Sequence, residues 1–266
     1  MVAVALGASD TTRFSILGSS GVGDLNIGIL PPAESHRYTF DIPSAVFESF
    51  TLAAAVDSLA GLSTQLGPAD AIEFRMDLAE NPLDQLRQFD GTLPIIATNR
   101  AKWEGGKASD KGRLDQLADA MSIPAVAAID VELAAISDGT ATRVLETAAT
   151  QNVDVIASWH DFESTPSKTT MRRRLIEGSE HADIAKIAVM ASHIGDVLPL
   201  LQVTHELSDR GIPVATMSMG EAGRHSRVVA PLYGSRIGYA PPSDQGATAP
   251  GQFELGRMAE LIDTLR

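Results

Sequence analysis

From residue 50 onward, short apolar runs alternate with longer stretches of mixed polarity. The runs cover residues 51–55, 71–76, 93–98, 125–132, 153–158, 184–190, 213–219 and 236–240. They are rich in branched residues and of the length expected of buried strands. Helix-like patterns lie between and after them, at about 57–67, 82–89, 110–121, 139–150, 167–179, 193–209, 222–232 and 252–265. Asp138 or Thr140 could cap the fourth helix and Ser167, just after Pro166, the fifth. Gly211 and Pro213 end the sixth and lead into the seventh strand. Eight strand–helix units over residues 48–266 predict an α/β chain folded as a (β/α)8 TIM barrel. A doubly wound open sheet would call for a Gly-rich first turn, which the sequence lacks.

Residues 1–47 break the pattern. They carry Gly18-Ser19-Ser20-Gly21-Val22-Gly23 and Pro31-Pro32 without sustained periodicity. No Gly-Lys-Ser/Thr follows those glycines, so they do not make a phosphate loop. The segment is expected to be a loosely structured extension, with a short strand or two.

Composition narrows the class of protein. No run of about 18 apolar residues exists, so no membrane span is expected. The first residues lack the basic stretch of a secretory signal. The absence of cysteine removes disulfides and thiolate chemistry and is compatible with the cytoplasm. A net charge of −13 argues against nucleic acid or an anionic membrane as partner. Only five of the 21 basic residues are lysines. Few lysines beside many carboxylates suggest an acidic proteome adapted to high salt.

One lysine stands apart. Lys102, Lys107, Lys111 and Lys168 lie among polar residues or glycines, but Lys186 interrupts Ile184-Ala185-Lys186-Ile187-Ala188-Val189-Met190. An ammonium buried without a partner is costly and tends to shed its proton. The amine so formed is suited to a Schiff base with a ketone. The same pattern also fits a strand-end lysine that reaches water or pairs with a carboxylate.

In such a barrel the chemistry sits at the C-terminal ends of the strands. Those ends carry Glu73, Arg75 and Asp77; Arg100, with Glu104 in the loop; Asp130 and Glu132; His160 and Asp161; Lys186; and Met217-Ser218-Met219. Glu73 and Arg75 share a face at spacing two, as do Asp130 and Glu132. Together they offer an amine, a proton carrier active near neutral pH, and guanidinium groups that grip carboxylates. No histidine pair has metal-binding spacing on a helix. His36, His181, His193 and His205 read as surface or cap residues.

The chain resembles the type I 3-dehydroquinate dehydratases, Schiff-base-forming lyases of the shikimate pathway. Seven motifs carry the resemblance, in the family's order, over about residues 50–266. They are Glu73-Phe74-Arg75-Met76-Asp77; Arg100 with Glu104-Gly105-Gly106; Asp130-Val131-Glu132-Leu133; Ser158-Trp159-His160-Asp161-Phe162; Ala182 to Met190; Met217-Ser218-Met219 with Gly223 to Arg227; and Ala249-Pro250-Gly251-Gln252. The resemblance implies that Lys186 forms the imine with 3-dehydroquinate, that His160 is the general base and that Glu104 orients it. It implies that Arg227 grips the substrate carboxylate. Glu73, Arg75, Arg100 and Gln252 would hold hydroxyls, and Met217 would pack against the ring. Thr248 stands where the family often has serine. No first-strand ligand is assigned, because Thr51–Asp57 offers no serine before Ser58. No cofactor or metal is implied, and a homodimer is. The Gly/Pro-rich segment 241–252 is expected to act as a lid.

Two other readings compete. A class I aldolase-type barrel also uses a lysine on the sixth strand, but it commonly binds phosphate after strands 7 and 8. Arg227 and Gln252 suit a carboxylate and hydroxyls better. A non-catalytic relative would be expected to lose Lys186 or His160.

Overall fold

The structure, a computed structural model, describes residues 17–18, 21–22, 47–62, 66–242 and 248–266. The chain divides into two units, Met1–Ile42 and Pro43–Arg266. In the first, Leu17–Gly18 pairs antiparallel with Gly21–Val22. Apart from these residues and Phe47, the expected extension over 1–47 lies outside the described residues.

The second unit is built on eight strands: β1 (Thr51–Val56), β2 (Ala71–Arg75), β3 (Ile95–Thr98), β4 (Val126–Glu132), β5 (Asp154–Asp161), β6 (Ile184–Met190), β7 (Val214–Met219) and β8 (Ile237–Ala240). All pair in parallel, in the order β8-β1-β2-β3-β4-β5-β6-β7. Between β7 and β8 the seam is thin. Arg236 N donates to the Val214 carbonyl at 2.7 Å. Beside it the Ser235 hydroxyl accepts from Thr216 N at 3.0 Å, a side chain standing in for a backbone rung. This nearly closed cylinder is the expected (β/α)8 barrel.

Alternation along the strands builds the interior in layers. Ala53, Ala71, Ile96, Ala128, Ile156, Ile184, Ala215 and Ile237, one from each strand, pack together with Phe47. Alanines set against isoleucines let this layer fill the cylinder. Arg236 donates to the carbonyls of Phe47 and Glu48, which ties the chain entering β1 to the barrel. Two residues further along each strand come Ala55, Glu73, Thr98, Asp130, Ser158, Lys186, Met217 and Tyr239. The apolar plug is therefore followed directly by a largely polar layer.

The outward-facing positions meet helices. These are α1 (Pro82–Gln88), α2 (Asp110–Ala120), α3 (Leu133–Ser137), α4 (Thr142–Gln151), α5 (Lys168–Ser179), α6 (Val197–Asp209), α7 (Gly220–Gly223), α8 (Ser226–Val229) and α9 (Leu255–Leu265). Ile187, Val189 and Val214 pack on Met171, Leu175, Leu200 and Leu207 of α5 and α6. Leu52 and Ala54 pack on Leu255, Met258 and Ile262 of α9. Ser167 caps α5 as expected, accepting from Thr170 N at 3.2 Å.

Three local expectations change. The described part of 57–67 is not helical, because Gly61 and Gly67 take positive φ. Neither Asp138 nor Thr140 caps α4, which begins at Thr142. The Asp138 carboxylate instead accepts from Thr140 N and Oγ1, closing the turn out of the unexpected helix α3. In α2 the backbone breaks at Lys111 and Gly112, and that break lets Arg113 turn inward.

Candidate active site

Above the polar layer the barrel opens into a cavity of about 140 Å³. Its walls come from the strand ends and the segment after β8. They include Glu73, Arg75, Arg100, Glu104, His160, Lys186, Met217, Arg227, Thr248 and Gln252, the residues for which the resemblance implies a role, but not the strand-end candidates Asp77, Asp130, Glu132, Asp161 and Ser218. They also include Thr98, Phe162 and Tyr239, to which it assigned no role.

A chain of charged groups crosses the cavity floor. Lys186 Nζ donates to Asp130 Oδ2 at 2.7 Å, and Arg100 NH2 to Asp130 Oδ1 at 2.5 Å. Arg100 NH1 reaches Glu104 Oε2 at 3.3 Å, and the same oxygen lies 2.9 Å from His160 Nδ1. Lys186 is thus buried, at 5% exposure, but it is not without a partner. The carboxylate alternative to a bare amine is the arrangement found, and Asp130, named only as a strand-end carboxylate, supplies it.

Burial and charge set the protonation states. Burial would raise the Asp130 carboxyl, but Arg100 and Lys186 outweigh it and hold it well below the usual range. Burial pushes Glu104 up to about 8, with Arg100 pulling the other way. Burial, then Arg100 and Lys186, pull His160 well below its ordinary value, so it is neutral at neutral pH. Phe162 stacks on the imidazole, with ring centres 5.7 Å apart.

The loop that delivers Glu104 is clamped from beneath. Glu132 Oε1 accepts from Ala101 N at 2.9 Å, and Glu132 Oε2 from Arg113 NH1 at 2.6 Å. Gly106 N donates to the Ala101 carbonyl and Ala108 N to the Arg100 carbonyl, folding the loop back on itself. A Cβ on Gly106 would collide with the Arg100 carbonyl, and one on Gly105, at φ +79°, with the Phe162 ring. These two glycines are required by close approach and by backbone conformation.

Around the rest of the cavity the candidate substrate-binding groups are partly engaged with one another. Asp77 holds Arg75 through two bonds of 2.8 Å. Arg75 also reaches the Thr248 carbonyl at 3.5 Å, and Arg227 donates to the Pro250 carbonyl at 3.0 Å. Burial lowers Arg227 to about 10, with Glu73 countering. Glu73 accepts from the Thr98 hydroxyl at 3.2 Å. The Gln252 side-chain oxygen accepts from Thr248 N and Ala249 N, and its amide donates to Thr248 Oγ1. Residues 248–252 therefore line the cavity, tied to Arg75 and Arg227. Residues 243–247 of the expected lid lie outside the described residues.

Among the described residues no cluster of side chains has the makings of a metal site. The chemistry this arrangement supports is that of an amine, a neutral imidazole and a set of guanidinium groups in one shielded pocket.

The chain is similar to known proteins. The family model described as type I 3-dehydroquinase matches residues 51–266. The 3-dehydroquinate dehydratase of Haloarcula marismortui is 49% identical over 224 residues, 83% of this chain and 98% of that protein. That of Halobacterium salinarum is 46% identical, covering 83% and 99%. The crystal structure of 3-dehydroquinate dehydratase from Geobacillus kaustophilus superposes with a TM-score of 0.73 at 26% identity, covering 82% of this chain and 91% of that one. The type I enzyme from Clostridium difficile, solved with covalently modified comenic acid, gives a TM-score of 0.71 at 28% identity, covering 82% and 93%.

Proposed function

The chain belongs to the type I 3-dehydroquinase family and so dehydrates 3-dehydroquinate to 3-dehydroshikimate in the shikimate pathway; we propose that it does so through an imine on Lys186. The observation that carries this reading is the buried run Lys186–Asp130–Arg100–Glu104–His160, which joins an amine to an oriented base in one cavity.

The geometry supports the following steps. Nζ passes its proton to the neutral His160 imidazole and attacks the C3 ketone, and His160 returns that proton to the resulting hydroxyl, which leaves as water. Asp130, held ionised by two cations, keeps Nζ in place without retaining that proton. Loss of water from the adduct leaves a protonated imine, which draws electrons from C2. Glu104 Oε2 already accepts from Arg100 and lies 2.9 Å from His160 Nδ1; in the tautomer with Nδ1 donating to that oxygen, Nε2 keeps the lone pair that acts as base. His160 takes the C2 proton. The C2–H electrons form the C1–C2 double bond, and the C1 hydroxyl leaves with the proton that His160 returns, a syn elimination of water. Hydrolysis of the imine restores Lys186. Arg227 grips the carboxylate in exchange for the Pro250 carbonyl. Glu73, Arg75, Arg100, Thr248 and Gln252 hold the ring hydroxyls, and Met217 packs against the ring.

A homodimer working in the cytoplasm is part of the same proposal, and light scattering on the purified chain checks the dimer. Among the described residues no helix is long and apolar enough to cross a membrane. The covalent modification in the Clostridium difficile structure supports covalent chemistry in this kind of barrel.

The deciding experiment is intact mass after incubation with 3-dehydroquinate and borohydride. A reduced adduct mapped to Lys186, absent from Lys186→Ala, is the expected result. No adduct from folded, active wild-type protein would reject the imine.

A further inference from the structure

Tyr239 has no part in the mechanism above, yet it stands in the middle of the site. It comes two residues after Ile237 of the apolar plug and therefore enters the polar layer on the same inward face. The side chain is 3% exposed and lines the cavity. Lys186 Nζ lies over its ring, 4.4 Å from the centre, so the aromatic face and Asp130 together hold the amine. Its hydroxyl is buried and makes no hydrogen bond to any protein atom. A buried hydroxyl normally finds a partner, because leaving it bare destabilises the fold. Phenylalanine would provide the same ring face for Lys186 without that cost.

We propose that the Tyr239 hydroxyl is a substrate-binding group, which donates a hydrogen bond to a ring oxygen beside the carbon bonded to Lys186. The placement favours this role, since the ring already lies against the nitrogen that becomes the imine. Burial, then Glu73 and Asp130, raise the phenol well above its ordinary value, so it remains a donor throughout the working range of pH. The hydroxyl is thus uncompensated in the free enzyme and satisfied in the complex. The inference rests on Lys186 as the imine-forming residue.

Tyr239→Phe separates the two ideas. The ring and its contact with Lys186 remain, so borohydride still traps the adduct on Lys186 at saturating 3-dehydroquinate. kcat/KM is expected to fall about five- to tenfold, the worth of one hydrogen bond. The melting temperature of the free variant should equal or exceed that of wild type. Kinetics within twofold of wild type would overturn the inference, and so would a lower melting temperature, which would reveal a protein partner for the hydroxyl. Failure of wild-type protein to form any adduct would instead overturn the imine itself.

Discussion

Lys186 shows how much a single residue can signal and where the signal stops. An ammonium in an apolar strand requires an explanation, and that much is readable from the chain. Its partner could not be read, because Asp130 lies 56 positions away and only the pairing of β4, β5 and β6 brings it to 2.7 Å. His160→Ala is expected to form the borohydride-trappable adduct while turnover falls by about 10²–10⁴-fold, the contribution typical of a general base. Wild-type turnover in that variant would remove His160 from the role. Glu104 supports a prediction about stability. Its carboxyl goes from an ordinary value of 4.5 to about 8 on folding. The folded state therefore holds a proton that the unfolded chain gives up, and this stabilisation is lost as pH rises toward 8. His160 is shifted downward from 6.5 and acts at lower pH, with the opposite sign. Between about 6.5 and 8, wild-type protein should lose melting temperature with rising pH, and Glu104→Gln should lose less. Equal slopes in thermal melts of the two would refute the assignment.

At the scale of elements, the loop after β3 is the most exacting part of the site. It presents Arg100 and Glu104 from one turn, and Glu132 and Arg113 pin it from below. Gly106→Ala is expected to push the loop away from the Arg100 carbonyl and lower kcat by two orders of magnitude or more, a cost typical of misplaced catalytic groups. Steady-state kinetics check this, and near-normal kcat would show that the loop can yield. The seam between β7 and β8 makes a second prediction at this scale. Ser235→Ala leaves Thr216 N without its side-chain acceptor and should cost about 1–3 kcal/mol in a denaturant titration, the penalty for an unmet buried amide. The strands themselves were legible as apolar runs, and β2, β4 and β6 run close to the expected bounds. The helical turn Leu133–Ser137 was not, since an apolar stretch continuing past a strand carries no mark of where the chain changes direction.

For the whole molecule, charge is the dominant property. A net −13 with few lysines gives a surface that repels itself in dilute buffer. Raising salt from about 0.1 M to about 1 M shortens the screening length from roughly 10 Å to 3 Å. The melting temperature should rise over that range, and a flat or falling trend would remove the high-salt reading. The buried run from Lys186 to His160 is shielded from solvent, so the trapping reaction should change far less with salt than the stability does.

Periodicity and residue type were enough to establish that the chain forms alternating strands and helices, that Lys186 interrupts an apolar strand, and that charged residues cluster at strand ends. These are properties of neighbours along the chain, where a period of two or of about 3.6 reports which side is buried. Tertiary structure decided who meets whom. It made Arg100 the hub of three carboxylates, gave Lys186 the Asp130 carboxylate and the Tyr239 ring, and stacked Phe162 on His160. Those contacts depend on barrel register and on loop paths across tens of residues, and the resulting desolvation sets the protonation of Glu104 and His160. Burial and charge act through space, so their sum exists only once the cylinder is closed.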